Sequence, residues 1–185
     1  HDRHVATGSH IEPSGIVTLT TDFATVDGYV GALRGAILSV DPSLCIQDVT
    51  HDIPPGDVRA AAWALRVGAR FFPPGTVHLV VVDPGVGSHR LALAVRRGHQ
   101  MFVGPDSGLF DLVGAEVIWA RRLDPDLVQG PGELSKTFHG RDLFAPAAAL
   151  LASGADPAGL GPAVDPGALE RLDLDDGYET GHTEV

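Results

Sequence analysis

The run from Thr76 to Val82, TVHLVVV, constrains the fold more than any other stretch of the chain. It is almost wholly β-branched and aliphatic, opened by Pro74-Gly75 and stopped by Asp83-Pro84-Gly85. A run of that length without polar alternation suits a strand buried on both faces, as in a parallel sheet covered by helices. Asp83 then stands at the carboxyl end of the strand, followed by a turn punctuated by Gly85 and Gly87, with Arg90 just beyond. Open α/β sheets bind their ligands at that location, and glycines there let backbone come close to them. The same residues also fit an aspartate closing a turn beside a solvated arginine.

The flanking segments repeat the alternation. Ile16 to Thr21 (IVTLTT) reads as a strand ending at Asp22-Phe23, and Leu44 to Val49 as a second. Between them, Asp27 to Val40 is helical by spacing: Tyr29, Val30, Leu33, Ala36, Ile37 and Val40 recur at three and four residues, with Asp27 as N-cap and Pro42 as the stop. Asp57 opens a second helix through Arg70, carrying Val58, Ala61, Ala62, Leu65 and Ala69 on one side. Leu91 to Arg96 and Gln100 to Val103 read as strands joined by a turn at Arg97-Gly98-His99. A tight turn, Gly104 to Gly108, leads into a short helix, Leu109 to Val113. Val117 to Ala120 is another strand, and Leu143 to Ala152 an alanine-rich helix whose Pro146 sits in the first turn, where no helical N–H is lost. Strands alternating with helices predict an α/β fold, a largely parallel central sheet with helices on both faces. Residues 16–173 form the expected domain. Residues 1–15, aperiodic His, Gly, Ser and Pro, are expected to be a flexible leader or a cloning remnant, and 174–185 a disordered tail or the start of a linker.

Composition removes several function classes. A content of 44% hydrophobic residues over 185 positions is enough for one packed domain. The net charge of −11 opposes a nucleic-acid partner, which would draw on clustered Lys and Arg, whereas only local pairs such as Arg96-Arg97 and Arg121-Arg122 occur. Cys45 is the single cysteine, so no intrachain disulfide forms and a reducing compartment is expected; its apolar run makes it a core residue rather than a nucleophile. Apolar stretches stay short of the ~18 residues of a membrane span and no signal-peptide pattern is visible, so a soluble, cytoplasmic protein without membrane contact is expected.

Three polar turns follow predicted strands or precede a helix: Asp22 after the first strand, Asp83 to Arg90 after the central one, and Phe138 to Asp142 before the last helix. Their convergence at one sheet edge would make a site. Asp22 could accept two hydrogen bonds from a diol such as a ribose, or simply end a turn. His139, between Phe138 and Gly140, could act there or be a solvated loop histidine. His78, inside the central strand, is expected to be half-buried. The chain has no His-x-x-x-His or cysteine pair, and DPGVGS lacks the carboxylates of a calcium loop, so no metal is expected. Walker, GxGxxG and G-x-S-x-G patterns are absent.

Five stretches taken together resemble the S-adenosyl-L-methionine hydroxide adenosyltransferase family, formerly DUF62 and related to fluorinase and chlorinase. They are TTDFATVDGYVGALRG (20–35), DVTHDIPPGDV (48–58), FFPPGTVHLVVVDPGVGSHR (71–90), FVGPDSGLF (102–110) and FHGRDLFAPAAALLASG (138–154). Two positions depart from the family pattern: Ala24 stands where glycine is usual and Ser107 where asparagine is usual. The resemblance implies that residues 16–173 bind S-adenosylmethionine and that water or hydroxide attacks its C5′, releasing adenosine and L-methionine without a cofactor. Carried over position by position, Asp83, Arg90 and His139 would hold and activate the water, while Asp22, Phe23, Pro84, Phe138 and Gly140 would contact substrate. It also implies a homotrimer in which a β-rich second domain of a neighbour completes each site. That domain is expected to be missing from this chain or supplied by another. Two rival expectations follow, a nucleoside-binding module without turnover and a halide-using adenosyltransferase. The Asp, Arg and His set suits water better than a bare halide.

Overall fold

The computed structural model describes residues 10–85, 89–128 and 139–172. Six strands, β1 (Ile16–Thr21), β2 (Cys45–Thr50), β3 (Val77–Val81), β4 (Ala92–Arg97), β5 (Gln100–Pro105) and β6 (Val117–Arg122), form one sheet in the order β2-β1-β3-β5-β4-β6. β1 pairs in parallel with β2 and β3, and β3 with β5, while β4 runs antiparallel to both of its neighbours. The sheet is thus largely parallel with one reversed strand. That reversal follows from the tight turn at Arg97-Gly98-His99, since a hairpin can join only antiparallel strands.

Helices α1 (Tyr29–Val40) and α3 (Ala145–Ala152) cover one face, and α2 (Val58–Ala69) the other. β3 lies between them and is buried along its whole length, as its uninterrupted apolar sequence requires. On the α1 and α3 face, Leu33 and Ile37 pack with Val17, Leu79 and Leu151; on the opposite face, Ala62 and Leu65 pack with Val80, Leu93 and Phe102. Each fully buried aliphatic side chain contributes on the order of 1.5–3 kcal/mol.

Several expectations need correction. Cys45 is exposed, not core, because β2 is the edge strand and its outer side has no helix over it. His78 is fully buried rather than half-buried. It stacks on Phe102, its Nδ1 pairs with Thr18 Oγ1 at 2.6 Å and its Nε2 with Gln100 Oε1 at 3.0 Å. Gly28, not Asp27, occupies the cap position of α1, and Asp27 instead accepts the Tyr29 N–H at 3.0 Å. The short helix at Leu109–Val113 is a 3-10 turn, bracketed by left-handed Gly108 and Gly114. Ser14 and Gly15 join the sheet's lower edge, through Ser14 N–H to Gly75 O (3.1 Å) and Cys45 N–H to Gly15 O (2.9 Å).

Candidate active site

From β1 the chain moves outward to β2, then crosses back to lay β3 on the other side of β1. This reversal of direction leaves a crevice at the carboxyl ends of β1 and β3, which is where open parallel sheets bind ligands. A cavity of about 580 Å³ lies there. Its wall takes Phe23 from the turn after β1 and Val81 and Asp83 from the end of β3. Asp27, Gly28, Tyr29 and Ala32 come from the start of α1, and His139, Gly140, Arg141 and Phe144 from the segment before α3. The chemistry is an apolar, aromatic slot with carboxylate, imidazole and guanidinium groups on its rim, the usual make-up of a small-molecule site.

Asp83 is largely buried, its side chain 17% exposed. Its Oδ1 accepts the Gly85 N–H at 2.8 Å and lies 3.8 Å from Arg90 Nε. Oδ2 has no partner among the described residues, so it can accept a proton or a hydrogen bond from a small molecule. Arg90 reaches Asp83 from a second cavity of about 590 Å³, which it lines with His89, Leu91, Asp106, Ser107, Ala168 and Glu170. Burial pushes the Asp106 carboxyl up, against the lowering effect of the Glu170 N–H it accepts.

Before α3 the backbone makes one wide turn. Residues Gly140–Phe144 form a π-helix, closed by the Ala145 N–H donating to Gly140 O. Such turns carry one residue more than an α-turn and concentrate at functional sites. Here the turn presents His139 and Arg141 to the cavity. Gly140 is packed so closely that a Cβ would come within 3.1 Å of Val81 Cγ1 and 3.6 Å of Phe23 Cζ. The missing side chain lets this segment sit directly on the end of β3 without displacing the Val81 methyl.

Residues 17–161 match the model of the SAM hydroxide adenosyltransferase N-terminal domain. The chain belongs to this family. It is 44% identical over 163 residues to the (R)-S-adenosyl-L-methionine hydrolase of Salinispora tropica, covering 86% of this chain and 62% of that protein. A conserved protein of Thermotoga maritima, known from its crystal structure, superposes with a TM-score of 0.80 at 37% identity, over 85% of this chain and 61% of its own. More distant is a fluorinase from Actinoplanes, 27% identical over 163 residues. The chain therefore spans about three fifths of the length of the relatives it most resembles.

Of the residues expected at the site, Phe23, Asp83, His139 and Gly140 meet in the cavity at the ends of β1 and β3, and Arg90 touches it through Asp83. Asp22 does not line it. Its Oδ2 accepts the Gly56 N–H at 2.8 Å, and Gly56 in turn lies against Pro84, so Asp22 and Pro84 form a buttress beside the cavity. Phe138 lies outside the described residues. The two departures from the family pattern have physical consequences. Ala24 is the sole non-glycine residue with positive φ among the described residues, at 56°, a conformation that glycine adopts without strain. Ser107 is buried and its hydroxyl has no hydrogen-bond partner among the described residues.

Sequence reasoning missed Tyr29. It carries the helical spacing of α1 and so read as core, but it is 49% exposed and lines the cavity with its ring tilted against that of Phe23, centroids 6.3 Å apart. The signal was its position, first in a helix that follows the site strand by a short loop. His51 was also missed. It is buried, with Nδ1 2.8 Å from Thr21 Oγ1 and Nε2 2.7 Å from Asp48 Oδ1.

Proposed function

We propose that this chain hydrolyses S-adenosyl-L-methionine to adenosine and L-methionine, with no cofactor. The observation that carries the reading is Asp83, held against Arg90 with one carboxylate oxygen open, in the same aromatic cavity as His139. In the reaction, a water oxygen bonds to C5′ as the C5′–S bond breaks. The bonding pair leaves with sulfur, which passes from sulfonium to neutral thioether. No general acid is needed for that leaving group, only an in-line nucleophile in a dry pocket. The proton shed by water goes to Asp83 or His139, and Arg90 orients the Asp83 carboxylate. Phe23 and Tyr29 offer apolar faces to the adenosyl group. Asp22 and Pro84 set the adjoining wall, with the second Asp22 oxygen toward a ribose hydroxyl, and Gly140 sits beside His139.

The hydrolase activity for which the Salinispora relative is named, at 44% identity, supports hydrolysis over halide transfer. So does the site itself: a carboxylate at the nucleophile position repels a halide anion but accepts a hydrogen bond from water. We further propose that the enzyme works in the cytoplasm as a homotrimer, a neighbouring subunit closing the cavity over the substrate. The test is incubation of the full chain with S-adenosylmethionine in ¹⁸O-labelled water, with the products analysed by mass spectrometry. Adenosine carrying ¹⁸O at C5′, with an equal amount of methionine, is expected. A 5′-halo-nucleoside formed in chloride would favour halide transfer, and heat of adenosine binding without product would favour a binding module.

A further inference from the structure

Behind the β1 turn, buried Thr21 and His51 continue into Asp48 and Arg34 nearer the surface, a chain of polar contacts that the proposed chemistry does not use. In β2 the register slips: Leu19 pairs with Asp48 but Thr20 with Thr50, leaving Val49 as an extra residue. In a regular strand, side chains three residues apart point to opposite faces, so this bulge is what turns Asp48 and His51 toward one another. Asp48 Oδ1 then lies 2.7 Å from His51 Nε2, and its Oδ2 accepts from Arg34 Nη2 at 2.5 Å. On the other side of the ring, Nδ1 meets Thr21 Oγ1 at 2.8 Å, and that oxygen accepts the Phe23 N–H at 3.2 Å. The His51 carbonyl takes the Ala24 N–H at 2.8 Å.

Hydrogen-bond accounting fixes the ring. Asp48 can only accept, so Nε2 carries a proton. Thr21 Oγ1 already accepts from backbone, so its own proton is available to donate to Nδ1. A neutral Nε2–H histidine satisfies every group, whereas an imidazolium would leave the Thr21 proton without an acceptor. Burial alone would raise the Asp48 carboxyl, but the hydrogen bond from His51 and the Arg34 guanidinium work against it and hold it below the ordinary range. Arg34 belongs to α1, whose first residue is Tyr29, and Thr21 anchors the backbone of Phe23. The network therefore ties together the two elements that bring aromatic rings to the cavity.

We propose that Thr21, His51, Asp48 and Arg34 are positioning residues that fix Phe23 and Tyr29 at their observed spacing, and that they act on substrate binding rather than on the chemical step. This rests on the reading of the cavity as an adenosyl site. The surface part of the network, Arg34 with Asp48, is weak as a pair of charges because both side chains are over a third exposed. Its role is geometric.

Two measurements on the full chain test this. Steady-state adenosine release is followed for wild type, Thr21→Val, Thr21→Ser and His51→Phe, and ¹⁵N NMR of labelled histidine reports the His51 tautomer. Thr21→Val and His51→Phe are expected to raise KM about tenfold, the equivalent of one lost hydrogen bond, with kcat within about twofold. Thr21→Ser should return KM to the wild-type value, and the ring should be the neutral Nε2–H form. An unchanged KM, kcat falling in step with kcat/KM, or an Nδ1–H or doubly protonated ring would overturn the proposal. Should Thr21→Val not fold, the serine variant and the tautomer decide. A wild type that releases no adenosine refutes the site reading and this inference with it, whereas an active wild type with indifferent variants refutes the inference alone.

Discussion

Two turns leave neighbouring parallel strands at the same edge of the sheet, and they are built in opposite ways. The turn after β1 is fastened at every residue: Asp22 by the Gly56 N–H, Phe23 by Thr21 Oγ1, Ala24 by the His51 carbonyl. In the turn after β3 the described contacts centre on the aspartate, with one hydrogen bond from the Gly85 N–H and an ion pair with Arg90. A segment with its polar groups satisfied can shape a pocket but has little left to offer a reacting atom. The other retains an open carboxylate oxygen on a partly buried side chain. Shape and reactivity have thus been given to different strands, although the two turns are separated by about one strand spacing, ~4.8 Å.

If that division is right, the largest effect belongs to the β3 side. Asp83→Ala and His139→Ala should each lower kcat by on the order of 10²-fold or more while adenosine affinity, measured by calorimetry, changes little. Near-normal turnover in both would remove the water-activating role. The other end of the same strand supplies a control in which histidine chemistry is purely structural. Burial depresses His78 from 6.5 to about 4, so on unfolding it gains a proton at any pH between those values. Stability should accordingly be full above pH 6.5, fall as pH drops toward about 4, and level off below, a loss of about 3 kcal/mol from this group. Chemical denaturation across that range should show a shallower decline for His78→Gln. An identical decline would mean that other groups govern it. Next comes Asp22→Ala, expected to weaken adenosine binding by ~1.5–3 kcal/mol, the range of a charge-assisted hydrogen bond, and to raise KM more than it lowers kcat. A pure kcat effect would erase the distinction between the turns. Smallest is Ala24→Gly. Left-handed backbone costs a non-glycine residue ~1–2 kcal/mol, and glycine's greater freedom when unfolded returns part of that. A gain of about 0.5 kcal/mol in denaturant unfolding is expected, and a loss would show that the alanine methyl is needed in the turn.

How far the sequence went can be judged from these elements. β1 and β3 were legible because continuous β-branched runs between turn residues have few other uses. The reversed β4 followed from the short Gly98 turn, and α2 from its Asp57 cap, which accepts the Ala60 N–H as expected. Asp83 and His139 could be grouped by placing strand ends side by side, which the alternating pattern allowed, whereas Phe23 and Gly140 were named as substrate contacts only through the family resemblance. Cys45 misled because its neighbours are apolar, whereas its burial depends on whether another strand lies outside β2. Tyr29 misled for the same reason at the end of a helix, where periodicity continues but the covering element stops. His51 and Thr21 lie 30 residues apart, and Asp48 meets His51 only through a bulge. No local propensity encodes either fact. Nor does any announce a π-turn, which arises from how Gly140 docks on Val81.

That wide turn sets the timing of everything upstream of α3. Each residue of a helix advances the chain by about 100° around its axis, so the one extra residue in Gly140–Phe144 acts as a phase shift. Deleting a single residue there would let the segment relax to ordinary α-helical winding and keep every buried alanine of α3 in place. His139 would then be rotated by about a quarter of a turn or more, away from Asp83, with its identity and its neighbours in sequence untouched. In a chain of this design, insertions and deletions near residue 140 are functional events even where they look like neutral length variation.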